Sequence, residues 1–402
     1  MFNLSESIAA LADKIDKGGR LSRSEAKTLL SEAPLALLGL LATHAKERKS
    51  GKAVFYNRNF HIEPTNVCVF NCRFCSYRRP ADSPDAWDYS KEEILAQVEA
   101  HRDSGATEIH IVGGVHPQHD LYYYADLIRS VKGRMPQASV KAFTAIELAY
   151  MINKAGLPLE EGLCRLKEAG MEAIPGGGAE IFAEPIRSRI CPEKGTAEEW
   201  LTVHRTAHRL GIPTNATILY GHIESLDDRI DHLDRLRTLQ DETGGFNAFI
   251  PLKYRSRHNS MEEIGEVSVV EDMRMTALAR LYLDNIPHIK AYWPMFGKTT
   301  AQLALAFGAD DMDGRRRGEQ TVGHDRRNGS DDPLGGLRTG RARHVLQSGE
   351  KIVSLAPNRP GYGLPTQTDR QDKRQPHRTQ PGTGPVRNHR LRLRGQPAAE
   401  SP

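Results

Sequence analysis

The stretch 65-TNVCVFNCRFCSYRRP-80 decides how this chain is read, because it places Cys68, Cys72 and Cys75 within eight residues while the next cysteine, Cys164, lies far downstream. Five cysteines, an odd number with three crowded together, do not describe a disulfide framework; such a group holds metal or does redox chemistry. Thiolates spaced C-x3-C-x2-C on one short loop can reach three corners of a four-iron, four-sulfur (4Fe–4S) cluster, leaving the fourth iron for a small molecule to chelate. A zinc site needs a fourth ligand and favours paired C-x2-C knuckles. His61, Cys164 and Cys191 could supply that ligand, but none has knuckle spacing. The spacing therefore predicts a cluster, with Cys164 and Cys191 as buried small residues.

Outward from the loop, short β-type runs alternate with amphipathic stretches. FHIEP (60–64) precedes the cysteines. EIHIVGG (108–114), SVKAFTA (139–145), MEAIPGGG (171–178), PTNATILYG (213–221), FNAFIPL (246–252), HIKAYW (288–293) and LALAFG (303–308) follow. Stretches of helical period, such as KEEILAQVEAHRDSG (91–105) and LDDRIDHLDRLRTLQDETG (226–244), separate most of them. Eight strands with crossover helices predict an α/β fold, a TIM-like (β/α)8 barrel; an open doubly wound sheet competes. Chemically distinctive residues at the C-terminal ends of several strands favour the barrel. Before it, residues 1–49 read as a helical preface of two or three helices, with a capping signal from Ser22 to Glu25.

The net charge of +4 conceals an asymmetry. Residues 315–402 hold 18 Lys+Arg against 8 Asp+Glu, whereas the first 314 hold 37 against 43. The basic character thus belongs to the tail and argues against nucleic-acid binding by the body, taken as a barrel over 50–314. Rich in Arg, Gly and Pro, with no sustained period, the tail is expected to be disordered. It also reads like GC-rich sequence in a shifted frame. No run of some 18 apolar residues and no secretory leader is visible, so the expectation is a cytoplasmic protein with no membrane partner.

The cysteine spacing, Phe74 before the third cysteine and the strand placement resemble the radical S-adenosylmethionine (SAM) enzymes. In that family the amino and carboxylate groups of SAM chelate the open iron, and the reduced cluster cleaves SAM to a 5′-deoxyadenosyl radical. The wider wording NRNFHIEPTNVCVFNCRFCSYRR (57–79), with VGGVHP, KAFTAIE, PGGGAEIF and ILYGHIES, resembles more narrowly the aminofutalosine synthases of the futalosine route to menaquinone, over about residues 50–314. The resemblance implies addition of that radical to 3-[(1-carboxyvinyl)oxy]benzoate, giving 6-amino-6-deoxyfutalosine, with SAM as co-substrate and a flavodoxin- or ferredoxin-type reductant. Related cyclases, forming cyclic dehypoxanthine futalosine or the deazaflavin chromophore, share the architecture. A different alternative is a non-catalytic iron–sulfur or zinc protein whose basic tail binds nucleic acid. The glycine-rich strand ends argue against it.

Beyond the cysteines, the candidate site residues stand at strand ends. Gly113 and Gly114 let backbone approach a ligand closely, and the resemblance assigns this position, with Phe74, to SAM. Thr144 and Glu180 can offer a hydroxyl and a carboxylate to ribose hydroxyls. His116 follows at the barrel mouth, as a substrate or SAM contact or as plain polar surface. Gly176 to Gly178 lack the lysine and spacing of a phosphate loop. Gly221 to Glu224 stand where relatives pack adenine, although Glu224 could simply open the next helix. Lys253 and Arg255 are cations suited to a substrate with two carboxylates. Glu63 points either into the barrel or into helix packing.

Overall fold

Apolar residues at helical spacing behind strong N-caps give three helices at the start of the chain. In the computed structural model, which describes residues 4–313 and 352–354, they are α1 (Glu6–Asp16), α2 (Arg23–Glu32) and α3 (Leu35–Ser50). The expected capping box is present: Ser22 Oγ accepts from the Glu25 N–H at 3.2 Å, and Glu25 Oε2 accepts from the Ser22 N–H at 2.7 Å.

Strands and helices then alternate. The first half contains β1 (Val54–Asn57), β2 (Asn59–Ile62), α4 (Lys91–Ala100), β3 (Glu108–Ile111), α5 (Leu121–Arg134), β4 (Ser139–Ala142), α6 (Ala145–Lys154) and α7 (Leu159–Ala169). The second contains α8 (Glu184–Ile190), α9 (Ala197–Arg209), β5 (Thr214–Tyr220), α10 (Leu226–Thr243), β6 (Phe246–Lys253), α11 (Val269–Tyr282), β7 (His288–Ala291), α12 (Trp293–Phe296), α13 (Lys298–Ala304) and β8 (Asp311–Asp313). All ladders are parallel: β2–β3–β4 form one sheet, and β5–β6–β7–β8–β1 lie in another. Bridges Lys141–Ala173 and Ile174–Thr214 join them on one side. On the other, β1 runs into β2 with only Arg58 between. The circuit closes as the expected (β/α)8 barrel. Every residue of β5 is buried, as a parallel strand covered on both faces requires. α3 packs on α11, so the helical preface covers part of the outer layer.

Three strand expectations change. The first strand begins earlier than Phe60 and is split, β1 pairing with β8 and β2 with β3. MEAIPGGG contributes only the bridges at Ala173 and Ile174, because Pro175 has no N–H to donate and Gly178 turns the chain at φ +87°. LALAFG is not the eighth strand. It completes α13, which buries Ala301 and Ala304 at i, i+3, and forms a 3-10 turn that stops at Gly308 with φ +95°. The eighth strand is Asp311–Asp313 instead. Its acidic start escaped an apolar pattern because buried cations hold it: Arg280 Nη2 lies 2.6 Å from Asp310, and Lys290 Nζ 3.2 Å from Asp311.

Of the tail, residues 352–354 are described. They form β9 (Ile352–Ser354), parallel to β1, at the β-branched centre of KIVSLA, where no strand period was expected. The rest of the tail, and the expectation of disorder or shifted frame there, lies outside the described residues. Among those residues no helix is long and apolar enough to cross a membrane.

Candidate active site

The three cysteines sit on the long loop between β2 and α4, and backbone bonds rather than regular structure hold it. The Cys68 N–H donates to Arg79 O (3.2 Å), Arg79 N–H to Asn66 O (2.8 Å) and Val69 N–H to Val115 O (3.0 Å). On the far side, the Arg73 N–H donates to Ile190 O at 2.8 Å and the Asn71 N–H to Glu193 Oε2 at 2.8 Å. The loop is therefore clamped between the end of β3 and the end of α8.

Cys68, Cys72, Cys75, Phe74, Gly113, Gly114 and Thr144 line one cavity of about 230 Å³. The structure thus brings together seven of the residues picked from sequence, and it settles the direction of Glu63, which lines the same cavity. Gly114 is required for a steric reason: a Cβ there would stand 2.2 Å from Val67 O. Its N–H donates to Thr65 O at 2.7 Å, and that of Gly113 to Glu147 Oε1 at 3.0 Å. The glycines serve first to dock the cysteine loop on β3. Thr144 caps α6, its hydroxyl 2.6 Å from Glu147 Oε2, while still facing the cavity. Glu180, with φ +49°, pairs with Lys194 at 2.6 Å, and it is Lys194 that lines the cavity, its Nζ 5.7 Å from the Phe74 ring.

Of the cavity residues not read from sequence, Glu147 and Lys194 bear on its charge. Burial pushes the Glu147 carboxyl up to about 7, against the bonds donated by Thr144 and Gly113. Burial opposes the charge of Lys194, but the Glu180 carboxylate paired with it outweighs burial and raises its pKa, so the cavity holds a fixed ammonium.

Other candidates lie elsewhere. His116 lines neither this cavity nor the inner one described below; its Nε2 stands 3.7 Å from Asp88 Oδ2, beside His119 at 3.3 Å from the same oxygen. Because the Gln118 N–H donates to His116 Nδ1, the ring proton lies on Nε2 and faces Asp88, a clip between two loops rather than a ligand set. Glu224 folds back onto the N–H groups of Gly221 and His222 at 2.6 and 2.9 Å, a turn-closing role. Lys253 is corrected: Ile250 and Leu252 face the barrel interior, so Lys253 does not line either cavity and pairs with buried Asp272 at 3.1 Å beneath α11. Arg255 is exposed, 3.2 Å from Glu266 and bonded to Met295 O.

A second cavity of about 190 Å³ fills the barrel interior and shares Val112 and Thr144 with the first. Its walls include Pro175, Ile250 and Leu252, and its polar lining includes His110, Asn215 and two lysines, Lys141 and Lys290. None of these polar residues stood out in sequence, because a charged residue inside a short parallel strand carries no periodic signal.

The donor set fits an iron–sulfur cluster. Among the described residues, only Asp88, His116 and His119 bring three ligand atoms within 4.8 Å of one another. At least one pair of cysteine sulfurs therefore stands further apart than the edge of about 3.8 Å that a tetrahedral zinc–thiolate site imposes. Burial raises the pKa of Cys68, and a hydrogen bond with the Cys191 thiol, followed by burial, raises that of Cys72. Buried soft donors of this kind become thiolates on binding a cationic group. Of the two cysteines expected to be buried, Cys191 is buried and Cys164 only half-buried, and the contact of Cys191 with Cys72 was not foreseen.

Comparison with known proteins agrees with this geometry. The radical SAM superfamily profile matches residues 62–236, and the CofH/MqnC C-terminal region matches residues 243–324. The aminodeoxyfutalosine synthase of Thermus thermophilus is 44% identical, over 84% of this chain and 91% of that protein. The chain belongs to the radical SAM superfamily, in the aminodeoxyfutalosine synthase family. It is a radical SAM enzyme of the transferase kind, and its cofactors are a 4Fe–4S cluster and SAM. A 5-amino-6-(D-ribitylamino)uracil–L-tyrosine 4-hydroxyphenyl transferase of Methanopyrus kandleri is 39% identical over 76% of this chain and 83% of that one. Crystalline methylornithine synthase shares the fold, with a TM-score of 0.63 at 18% identity over 80% of this chain and 92% of that one.

Proposed function

We propose that this radical SAM enzyme joins the 5′-deoxyadenosyl group of SAM to 3-[(1-carboxyvinyl)oxy]benzoate, forming 6-amino-6-deoxyfutalosine with loss of one carboxyl carbon. The observation that carries this reading is the meeting of two cavities at Val112 and Thr144, one lined by three cysteines, the other by apolar walls with buried lysines. An aryl ether with two carboxylates needs both an apolar slot and cations.

Cys68, Cys72 and Cys75 would hold the cluster. When bound and reduced, cluster and SAM supply the deoxyadenosyl radical. The chain's own residues position the reactants. Gly113, Gly114 and Phe74 shape the SAM side, and Lys194 presents a fixed positive charge suited to its carboxylate. Thr144 would offer its hydroxyl to the ribose, while Glu180, which does not line the cavity, holds Lys194 in place. Enclosure of the inner cavity by the barrel keeps water and stray hydrogen donors from a reactive intermediate. A flavodoxin- or ferredoxin-type protein in the cytoplasm would supply the electron.

The test is mass spectrometry of an anaerobic reaction containing cluster-reconstituted protein, reductant, SAM and 3-[(1-carboxyvinyl)oxy]benzoate. A product at the aminodeoxyfutalosine mass is expected. Stoichiometric free 5′-deoxyadenosine without that product would instead favour a hydrogen-abstracting cyclase of the same branch.

A further inference from the structure

The inner cavity holds two lysines, and their surroundings differ in a way that orients a ligand. Lys141 is paired at 2.6 Å with Glu108, which itself lines the cavity and accepts from Asn57 and Asn59 at 3.3 and 3.4 Å. A carboxylate approaching Lys141 meets the charge of Glu108 at the same wall. Lys290 is arranged otherwise. Its acid, Asp311, stands 3.2 Å away but does not line the cavity, so the anion that balances Lys290 lies behind the cavity wall rather than on it. Lys290 and Tyr292, two residues apart at the end of β7, both face inward. On neighbouring strands Thr217 pairs with Ile250, and Phe249 with Ile289, which sets Thr217, Ile250 and Lys290 side by side in one row.

We infer that Lys290 receives the ring carboxylate of the substrate. The aryl group then lies between Pro175, Ile250 and Leu252, and the vinyl ether points to Val112 and Thr144, where the cysteine-lined cavity begins. This rests on the substrate reading given above. It turns that reading into an orientation: the ring carboxylate enters first, and the carbon to be joined stays nearest SAM. Specificity follows from the same contact, since an aryl ether without a ring carboxylate leaves Lys290 paired with Asp311 and makes no charge-assisted contact on the cavity side.

The experiment compares kcat/KM for 3-[(1-carboxyvinyl)oxy]benzoate and for 2-phenoxyacrylate, which lacks only the ring carboxylate. Wild type, Lys290→Met and Lys290→Met/Asp311→Asn are measured, the double variant avoiding a buried acid left without its cation. Loss of a charge-assisted contact is expected to lower kcat/KM about 10- to 150-fold, whether lysine or carboxylate is removed. Removing both should cost no more than removing one, because the contact can be lost only once. Lys141→Met, by contrast, should affect both substrates equally. Additive losses at Lys290, or no loss with the full substrate, would overturn the inference while leaving the substrate reading intact. Failure of wild type to convert either compound, while it still cleaves SAM, would overturn both.

Discussion

Replacing Gly114 with alanine tests whether the cysteine loop and the end of β3 form one rigid unit. The new Cβ would stand 2.2 Å from Val67 O and 2.7 Å from Val67 C, where ordinary contact begins at 3.4 Å. Backbone must therefore separate by about 1.2 Å, and the segment pushed is the one that carries Cys68. Overpacking of this kind costs about 1–3 kcal/mol. The bond from the Gly114 N–H to Thr65 O would stretch with it, adding about 1 kcal/mol. Urea denaturation of the cluster-free protein should show a loss of roughly 2–4 kcal/mol, and iron and sulfide analysis after reconstitution should show substoichiometric cluster. Gly133→Ala is the control, since a methyl group on that helical glycine of α5 would meet nothing within 4 Å. It should load cluster normally and gain up to about 1 kcal/mol. A Gly114→Ala protein as stable as wild type, with full iron content, would refute the rigid docking of loop on strand.

The pH dependence of stability should carry the signature of Glu147, whose buried carboxyl is raised from 4.5 to about 7. A carboxyl shifted upward stabilises the fold below its unfolded value and loses that contribution as pH rises through its folded one. Wild-type stability should fall between pH 4.5 and about 7, and Glu147→Gln should flatten that part of a denaturation profile. Cys191→Ala should retain a full iron content, whereas Cys68→Ala, Cys72→Ala and Cys75→Ala should each lose the cluster's absorbance; loss of iron in Cys191→Ala would give that residue a ligand's role. Lys253→Met should destabilise by about 3–5 kcal/mol, by leaving Asp272 buried without its cation, with KM for the substrate unchanged. A raised KM in a stable Lys253→Met protein would count against the outward placement of that side chain.

What the sequence disclosed depended on whether chemistry or geometry set the residue. The cysteine spacing was legible because three thiols on one short loop have few uses, and the glycine-rich strand ends because only glycine tolerates such close backbone passage. Lys253 misled, since a cation at a strand end looks the same whether it faces in or out; the alternation became readable only once Ile250 and Leu252 were placed inside. Lys194 gave no signal because its partner, Glu180, lies 14 residues away across α8. The eighth strand was misplaced for a related reason. Its identity rests on buried pairs made by Arg280 and Lys290, and a helical Ala/Leu run just before it offered a more apolar alternative.

The clamp on the cysteine loop also fixes an order of events during synthesis. Asn71 is bound by Glu193, 122 residues further along the chain. At about 5–20 residues per second, the ribosome finishes the three cysteines roughly 6–24 s before the segment that fastens them. Throughout that interval the thiols hang on an unfastened loop with neither fixed spacing nor shelter from oxidants. The spacing that suits a cluster is therefore set only once α8 and the segment after it have docked on the loop.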